Sequence, residues 1–239
     1  MRIPTIKGII DRRILVNYAV DADIAKTIVP LPFKPKIING KAVAGICLIR
    51  LKQVRPKRLP AFIGFGSENG AHRIAVEWMD GDELKEGVYI PRRDTSSRIN
   101  TLLGGRVFPG KHFHAKFDID ENAGKYHVAF KSSDGTIISV DAQLTDSFNP
   151  GSVFKSLAEA SAFFQGGSTG YSPNKNNYEG LLLNTFKWHV QPLKISKVIS
   201  SYFENELIFP KGSIQFDNAL LMTNTHHEWS SAKNKPIDQ

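Results

Sequence analysis

Period-two alternation of apolar and polar residues recurs from one end of this chain to the other, and a chain so patterned must bury one face of many strands. Ile14, Val16, Tyr18 and Val20 alternate with Arg13, Asn17 and Ala19. Arg73 to Met79 sets Ile74, Val76 and Trp78 against Arg73, Ala75 and Glu77, and Thr136 to Leu144 alternates again through Ile138, Val140, Ala142 and Leu144. Turn formers separate such runs. Asn39-Gly40 divides KPKII from KAVAGICLIRL, and both residues tolerate the positive φ of a type I′ hairpin turn. The second arm is apolar on both faces and reads as an interior strand. Asp80-Gly81 leads into GVYI, and His112 to Asp118 with Lys125 to Phe130 read as a hairpin around Glu121 to Gly124. Strands resume at Leu181 to Val190, at Leu193 to Val198 and in SIQFDNALLM.

Helices are few. Asp21 or Asp23 can cap a short one carrying Ile24, Ile28 and Leu31, stopped by Pro30 and Pro32. The best-marked helix is predicted over Val153 to Gln165, with Ser152 as N-cap, Val153, Leu157, Ala160 and Phe164 on one stripe, and Gly166-Gly167 as terminator. GGSTGYSPNKNN after it lacks the strand-loop-helix setting of a phosphate-binding loop and reads as a mobile flap. The polar tail after Trp229 reads as a frayed end. Without regular β-α alternation a doubly wound sheet is excluded, which leaves an α+β, mostly β chain built as a barrel or sandwich. No linker-like stretch divides it, so residues 1–239 are read as a single domain.

Hydrophobic residues make up 41% of 239, enough for a substantial core. The longest apolar run, Ala42 to Ile49, is far short of the ~20 residues of a membrane-spanning helix. Pro4, Lys7 and Asp11 interrupt the place where a secretory signal would be continuously apolar. Cys47, the single cysteine, cannot form an internal disulfide, and within GICLI it reads as a small buried hydrophobe. These features predict a cytoplasmic protein with no membrane partner. The net charge of +8 and the five cations of RLKQVRPKR, Arg50 to Arg58, raise nucleic acid as a partner. No helix-turn-helix, zinc-finger spacing or RNP-like aromatic pattern accompanies them, so nucleic acid is disfavoured.

The segment Gly87 to His112, GVYIPRRDTSSRINTLLGGRVFPGKH, crowds Arg92, Arg93, Arg98 and Arg106 around Asp94, a density suited to a bound anion or to an internal ion-pair network. His112 and His114 project to one face of a strand, with His127 on the partner strand. A metal is one reading of that trio, but Lys116 would oppose a cation and no metal site is assigned. No GxSxG, HExxH, CxxC or dinucleotide-type glycine pattern is present, and no cofactor is implied. Lys111, beside Arg106 and after FPG, is the lysine in the most suggestive setting for Schiff-base chemistry, which needs a lowered amine pKa.

GVYIPRRDTSS followed by a glycine-arginine and then Phe-Pro, VDADIAKTIVP before INGKAVAGICLIRLKQVRP, SENGAHR ahead of a strand, and LAEASAFFQGGSTGY as helix then loop occur together and in order. That collinear set, over roughly Val20 to Gln191, resembles a bacterial family of unknown function grouped with the acetoacetate decarboxylase-like fold. The resemblance implies a closed, cone-shaped mixed β-barrel with a few flanking helices, an internal cavity, and a homodimer or larger homo-oligomer. In acetoacetate decarboxylase a Gly-Phe-Pro-Lys-Lys sequence supplies the Schiff-base lysine and then its helper. Here Val107-Phe108-Pro109-Gly110-Lys111 places Gly110 at the first position and Lys111 at the second, so the decarboxylase reaction lacks its amine. The glutamate that the family places upstream looks most like Glu68, with Asn69 and Arg73 nearby.

If Glu68, Arg73, Arg92, Arg93 and Asp94 converge on the cavity, they form a polar floor for a carboxylate or enolate; otherwise they are an ion-pair network closing the barrel. The resulting expectation is a protein that binds a small organic acid, a keto acid or similar, with lyase-like carbon-acid chemistry as an open question. Glu68 would shuttle a proton and Lys111 would act as an electrophile if turned inward. Asn69, Arg73, Arg92, Arg93, Asp94 and Arg106 would hold the ligand. A noncatalytic metabolite-binding or sensing module and a basic-surface nucleic-acid binder are the alternatives.

Overall fold

The alternating runs form strands that are longer than the sequence segments suggested, because pairing continues through their polar ends. The computed structural model describes residues 5–98 and 109–237. In chain order the elements are β1 (Ile6–Asp21), α1 (Ala22–Ile28), β2 (Lys34–Pro35), β3 (Ile37–Ile38), β4 (Lys41–Pro56), a single 3-10 turn (Ala61–Ile63), β5 (Phe65–Asp80), β6 (Glu83–Thr95), β7 (His112–Asn122), β8 (Lys125–Ser132), β9 (Ile137–Leu144), α2 (Leu157–Gly166), β10 (Thr169–Pro173), β11 (Asn177–Thr185), β12 (Gln191–Ser200) and β13 (Ile214–Pro236). The chain is mostly β, as expected. The positive-φ turns also fall where the sequence placed them, at Asn39-Gly40 (φ 47° and 80°) and at Ala123-Gly124 (φ 47° and 78°).

All the strands belong to one mixed sheet, and two pairings close it on itself. Antiparallel pairing of β5 with β6 closes a ring through β7, β8, β9, β12, β13, β1 and β4. Antiparallel pairing of β11 with β13 closes a second, smaller ring through β10, β6, β5, β4 and β1. The five strands β13, β1, β4, β5 and β6 are common to both, so each presents one face to each ring. Gly87 permits the join between β6 and β10: a Cβ there would stand 2.3 Å from the Thr169 carbonyl oxygen.

The larger ring is solid. Ile14, Val16, Ile46, Leu48, Val128, Phe130, Ile138 and Val140 are buried in one continuous cluster that also takes in Phe203 and Phe209. The smaller ring is filled at one end by α2 and its approach, where Phe154, Ala160 and Phe164 pack on Leu15, Val43 and Ala75. At the other end Ile6, Ile10, Leu51, Leu181 and Trp229 form a separate cluster. A space remains between these two plugs.

Three local expectations are corrected. The helix begins at Leu157, capped by Ser156, whose Oγ accepts from the Glu159 N–H at 3.2 Å, while Ser152 instead donates to Asp217 Oδ2 at 2.7 Å. The glycine-rich stretch is no flap: Thr169–Pro173 is β10, seated between β6 and β11. The tail after Trp229 is held as the second half of β13 by pairing with β11 and by Lys235 Nζ at 2.7 Å from Asp80 Oδ1. In each case a tertiary partner distant in sequence overrides a local signal.

Candidate functional site

Strand parity decides which side chains meet the space inside the smaller ring. On β1 and β4 the face opposite the solid core carries Arg13 and Cys47; on β5 it carries Asn69, Ala71 and Arg73. On β6 the register runs from Ile74↔Tyr89 to His72↔Arg92, three steps on β6 against two on β5. This bulge inverts the parity of β6. Arg93, rather than Arg92, therefore falls on the same face as Val88 and Ile90, opposite Ala71. The cavity has a volume of about 110 Å³, and its wall is mainly apolar, with Ile10, Ile49, Leu51, Leu181, Leu183 and Trp229 among its residues.

Three guanidinium groups stand on that wall. Arg73 is buried, donates from Nε to Cys47 Sγ at 3.0 Å and from Nη2 to Asn17 Oδ1 at 2.5 Å, and lies 4.8 Å from the centre of the Phe164 ring. Arg13 places Nη2 at 3.6 Å from the same sulfur. Arg93 reaches Ser172 Oγ at 3.3 Å. Nε of Arg13 and Nε of Arg93 are buried without a hydrogen-bond partner among the described residues. None of the three has a carboxylate within ion-pair distance among the described residues. Burial lowers the pKa of Arg73, and it lowers that of Arg93 to about 10, with the Cys47 sulfur opposing the fall in both. Burial pushes the Cys47 thiol up, but Arg73 and Arg13 outweigh it and hold the thiol below its ordinary value. The site is thus a mainly apolar cavity with surplus positive charge.

The other residues singled out from the sequence divide between this wall and elsewhere. Asn69 is on the wall, fixed by Ser67 Oγ at 2.9 Å and by the Thr95 hydroxyl at 2.9 Å. Asp94 is also on the wall, but its carboxylate is held by Arg92 at 2.6 and 3.0 Å and by Ser132 Oγ at 2.5 Å. Arg92 also bonds Asp134, at 2.5 and 2.9 Å, and so lies in an ion-pair network. Burial raises the Asp94 carboxyl against these bonds, and Arg92 draws Asp134 well below the usual carboxylate range. Glu68 is locked away from the cavity, between Arg12 Nη2 at 2.6 Å and Arg50, and both arginines also pair with Glu121. Lys111 is exposed, with Nζ 4.8 Å from the centre of the Phe113 ring. Arg106 lies outside the described residues.

Gly110 sits at φ +92°, and a Cβ on it would meet Ser172 Cβ at 2.6 Å, so the backbone itself requires glycine there. No lysine lines the cavity among the described residues. Of the histidine trio, His127 Nδ1 is 2.5 Å from Asp141, and among the described residues no three His, Cys, Asp or Glu side chains are grouped as a metal site. The basic run is largely matched by acids: Arg50 by Glu68 and Glu121, Lys52 by Asp11 at 2.8 Å and Lys57 by Glu228 at 2.9 Å. No helix among the described residues is long and apolar enough to cross a membrane.

Sequence reasoning did not single out Arg13 or place Cys47 beside two arginines. The available signal was the row Arg13, Leu15, Asn17 on β1, whose polar members alternate with a fully apolar row and so had to face something other than an oily core.

Several solved structures share this architecture. Acetoacetate decarboxylase from Legionella pneumophila superposes with a TM-score of 0.62 at 11% identity, over 99% of this chain and 88% of that one. An acetoacetate decarboxylase-like enzyme from Sphingomonas wittichii RW1 gives 0.60 at 10% identity, over 99% and 94%. The enduracididine biosynthesis enzyme MppR, complexed with the condensation product of pyruvate and imidazole 4-carboxaldehyde, gives 0.57 at 9% identity, over 98% and 88%. The shared fold is therefore the acetoacetate decarboxylase-like one. No curated protein matches the chain in sequence. The model of a family described as an uncharacterized conserved protein, DUF2071, matches residues 10–212.

Proposed function

The chain belongs to the DUF2071 family, and we propose that its smaller ring binds a small organic anion, a keto acid or similar carboxylate, held by Arg13, Arg73 and Arg93. The observation that carries this reading is the set of three guanidinium groups on one mainly apolar cavity wall with no carboxylate partner among the described residues. An uncompensated buried cation costs several kcal/mol, and a bound carboxylate returns part of that through charge-assisted hydrogen bonds of about 1.5–3 kcal/mol each. A cavity of about 110 Å³ exceeds several-fold the roughly 10–15 Å³ that admits one water. That leaves room for an acid of a few carbons. The pyruvate-derived ligand of MppR supports the choice of a keto acid.

Schiff-base decarboxylation has no support at this site, because Gly110 occupies the aligned position and no lysine lines the cavity among the described residues. In this reading Glu68 and Arg92 brace the ring and Lys111 stands outside it, while Asn69 and Asp94 shape the pocket. Thermal shift and titration calorimetry with pyruvate, acetoacetate and the neutral control acetone test the proposal. The acids should stabilise and acetone should not, with Arg93→Gln or Arg13→Gln weakening binding at least ~10-fold, the worth of one charged hydrogen bond. Borohydride with either keto acid should leave the mass unchanged. Equal affinity in wild type and both variants sinks the proposal, as does a lack of response to any small carboxylate.

A further inference from the structure

The cavity wall holds a sulfur as well as cations. Cys47 is buried at 3% exposure, yet it belongs to the wall of the open space. Its Sγ is 3.0 Å from Arg73 Nε and 3.6 Å from Arg13 Nη2. A structural thiol inside a strand needs only apolar neighbours; Cys47 has these in Leu15, Val43 and Ala71, and has two guanidinium groups besides. Two guanidinium groups on one sulfur favour the thiolate, the form that acts as a nucleophile. Independently of the cysteine, Arg93 on the same wall donates from Nη2 to Ser172 Oγ at 3.3 Å but keeps a buried Nε without a hydrogen-bond partner among the described residues, which points to an anionic group in the same cavity. These two facts place an electron-rich sulfur where a carboxylate-bearing ligand would lie.

We propose that Cys47 is a nucleophile that adds covalently to small acids carrying an electrophilic carbon next to their carboxylate, aldehydic or α-keto acids in particular. This rests on the anion-binding reading of the cavity. In the addition, the Cys47 thiolate forms a bond from Sγ to the carbonyl carbon, the C=O π pair moves to oxygen, and the resulting alkoxide takes a proton from water. The product is a hemithioacetal or hemithioketal plus hydroxide, and the reversal restores both partners. No oxidant or metal enters the balance. Arg13 and Arg73 favour the ionised sulfur, while Arg93 faces the carboxylate. Among the described lining side chains, which include His112 and Ser168 but no lysine, the Cys47 sulfur is the softest nucleophile.

Paired alkylating agents of opposite charge character test this directly. Iodoacetate carries a carboxylate, iodoacetamide does not, and both transfer their CH₂ carbon to sulfur with loss of iodide. Intact mass and peptide mapping should show iodoacetate modifying Cys47 at least tenfold faster than iodoacetamide near neutral pH, with no adduct in Cys47→Ser. Arg93→Gln should abolish that preference. Glyoxylate should protect more strongly than acetate, because only glyoxylate can form the sulfur adduct. If acetate and pyruvate bind by calorimetry but iodoacetate leaves Cys47 unmodified, the nucleophile fails while the anion site stands. If both reagents label Cys47 equally and no carboxylate protects, the anion site fails as well, and the proposal with it.

Discussion

At the scale of single residues, the smaller ring is set apart by charges left uncompensated, and the larger one by a histidine kept neutral. His72 is fully buried against Tyr202 and Phe203, at ring-centre distances of 4.6 and 5.6 Å; its Nδ1 stands 3.6 Å from Asp94 Oδ2, and neither ring nitrogen has a hydrogen-bond partner among the described residues. Burial, reinforced by Arg92, lowers its pKa from 6.5 to about 3, and burial lowers that of His227 to about 4. The unfolded chain therefore binds more protons than the native one below about pH 6.5. Their contribution to stability is complete above that pH and is lost progressively as pH falls toward the folded values, by at most about 1.4 kcal/mol per pH unit for each histidine. Urea midpoints between pH 7 and 4.5 should fall in wild type, and His72→Phe should show a shallower fall. An unchanged slope in that variant would show that His72 is not the group responsible.

At the scale of elements, the reading of the sequence succeeded where pairing is announced locally. The turns at Asn39-Gly40 and Ala123-Gly124 and the alternation in β1, β5 and β9 needed no tertiary knowledge. It fell short where a strand exists only because another receives it: β10 has a glycine-rich sequence, and only the gap between β6 and β11 makes it extended. The β6 bulge was equally hidden, and it reverses which of Arg92 and Arg93 faces the cavity. Cys47 read as a plain buried hydrophobe because its two arginine neighbours come from strands that are 34 and 26 residues away in the chain. The helix shift from Ser152 to Ser156 likewise has a distant cause, since Ser152 and the Val153 N–H are both engaged by Asp217, at 2.7 Å each. Because Phe164 of α2 backs Arg73, the cap matters to the site. Ser156→Ala should cost about 1 kcal/mol and weaken carboxylate binding modestly, whereas Ser152→Ala should leave the helical signal near 222 nm unchanged. Equal effects of the two substitutions on that signal would contradict the assignment of the cap.

At the scale of the whole molecule, one sheet does two jobs because its five shared strands put apolar residues toward the solid ring and mixed residues toward the hollow one. A cluster of charges braces the larger ring: Arg12 of β1 and Arg50 of β4 both pair with Glu68 of β5 and Glu121 of β7. Arg12 is 2% exposed, so its removal leaves two carboxylates sharing Arg50 in partly dry surroundings. Arg12→Ala should lower unfolding free energy by about 3 kcal/mol, the low end for a broken buried pair since Arg50 remains. A loss below about 1 kcal/mol would mean that water already compensates the cluster. The central claim is that the smaller ring is hollow in order to hold an anion, and a crystal structure of the protein grown with pyruvate tests it most directly. The account predicts density for the acid inside that ring, its carboxylate within hydrogen-bond reach of at least two of Arg13, Arg73 and Arg93. A cavity filled only by water or by inward-collapsed aliphatic side chains, with those arginines paired elsewhere, would contradict it.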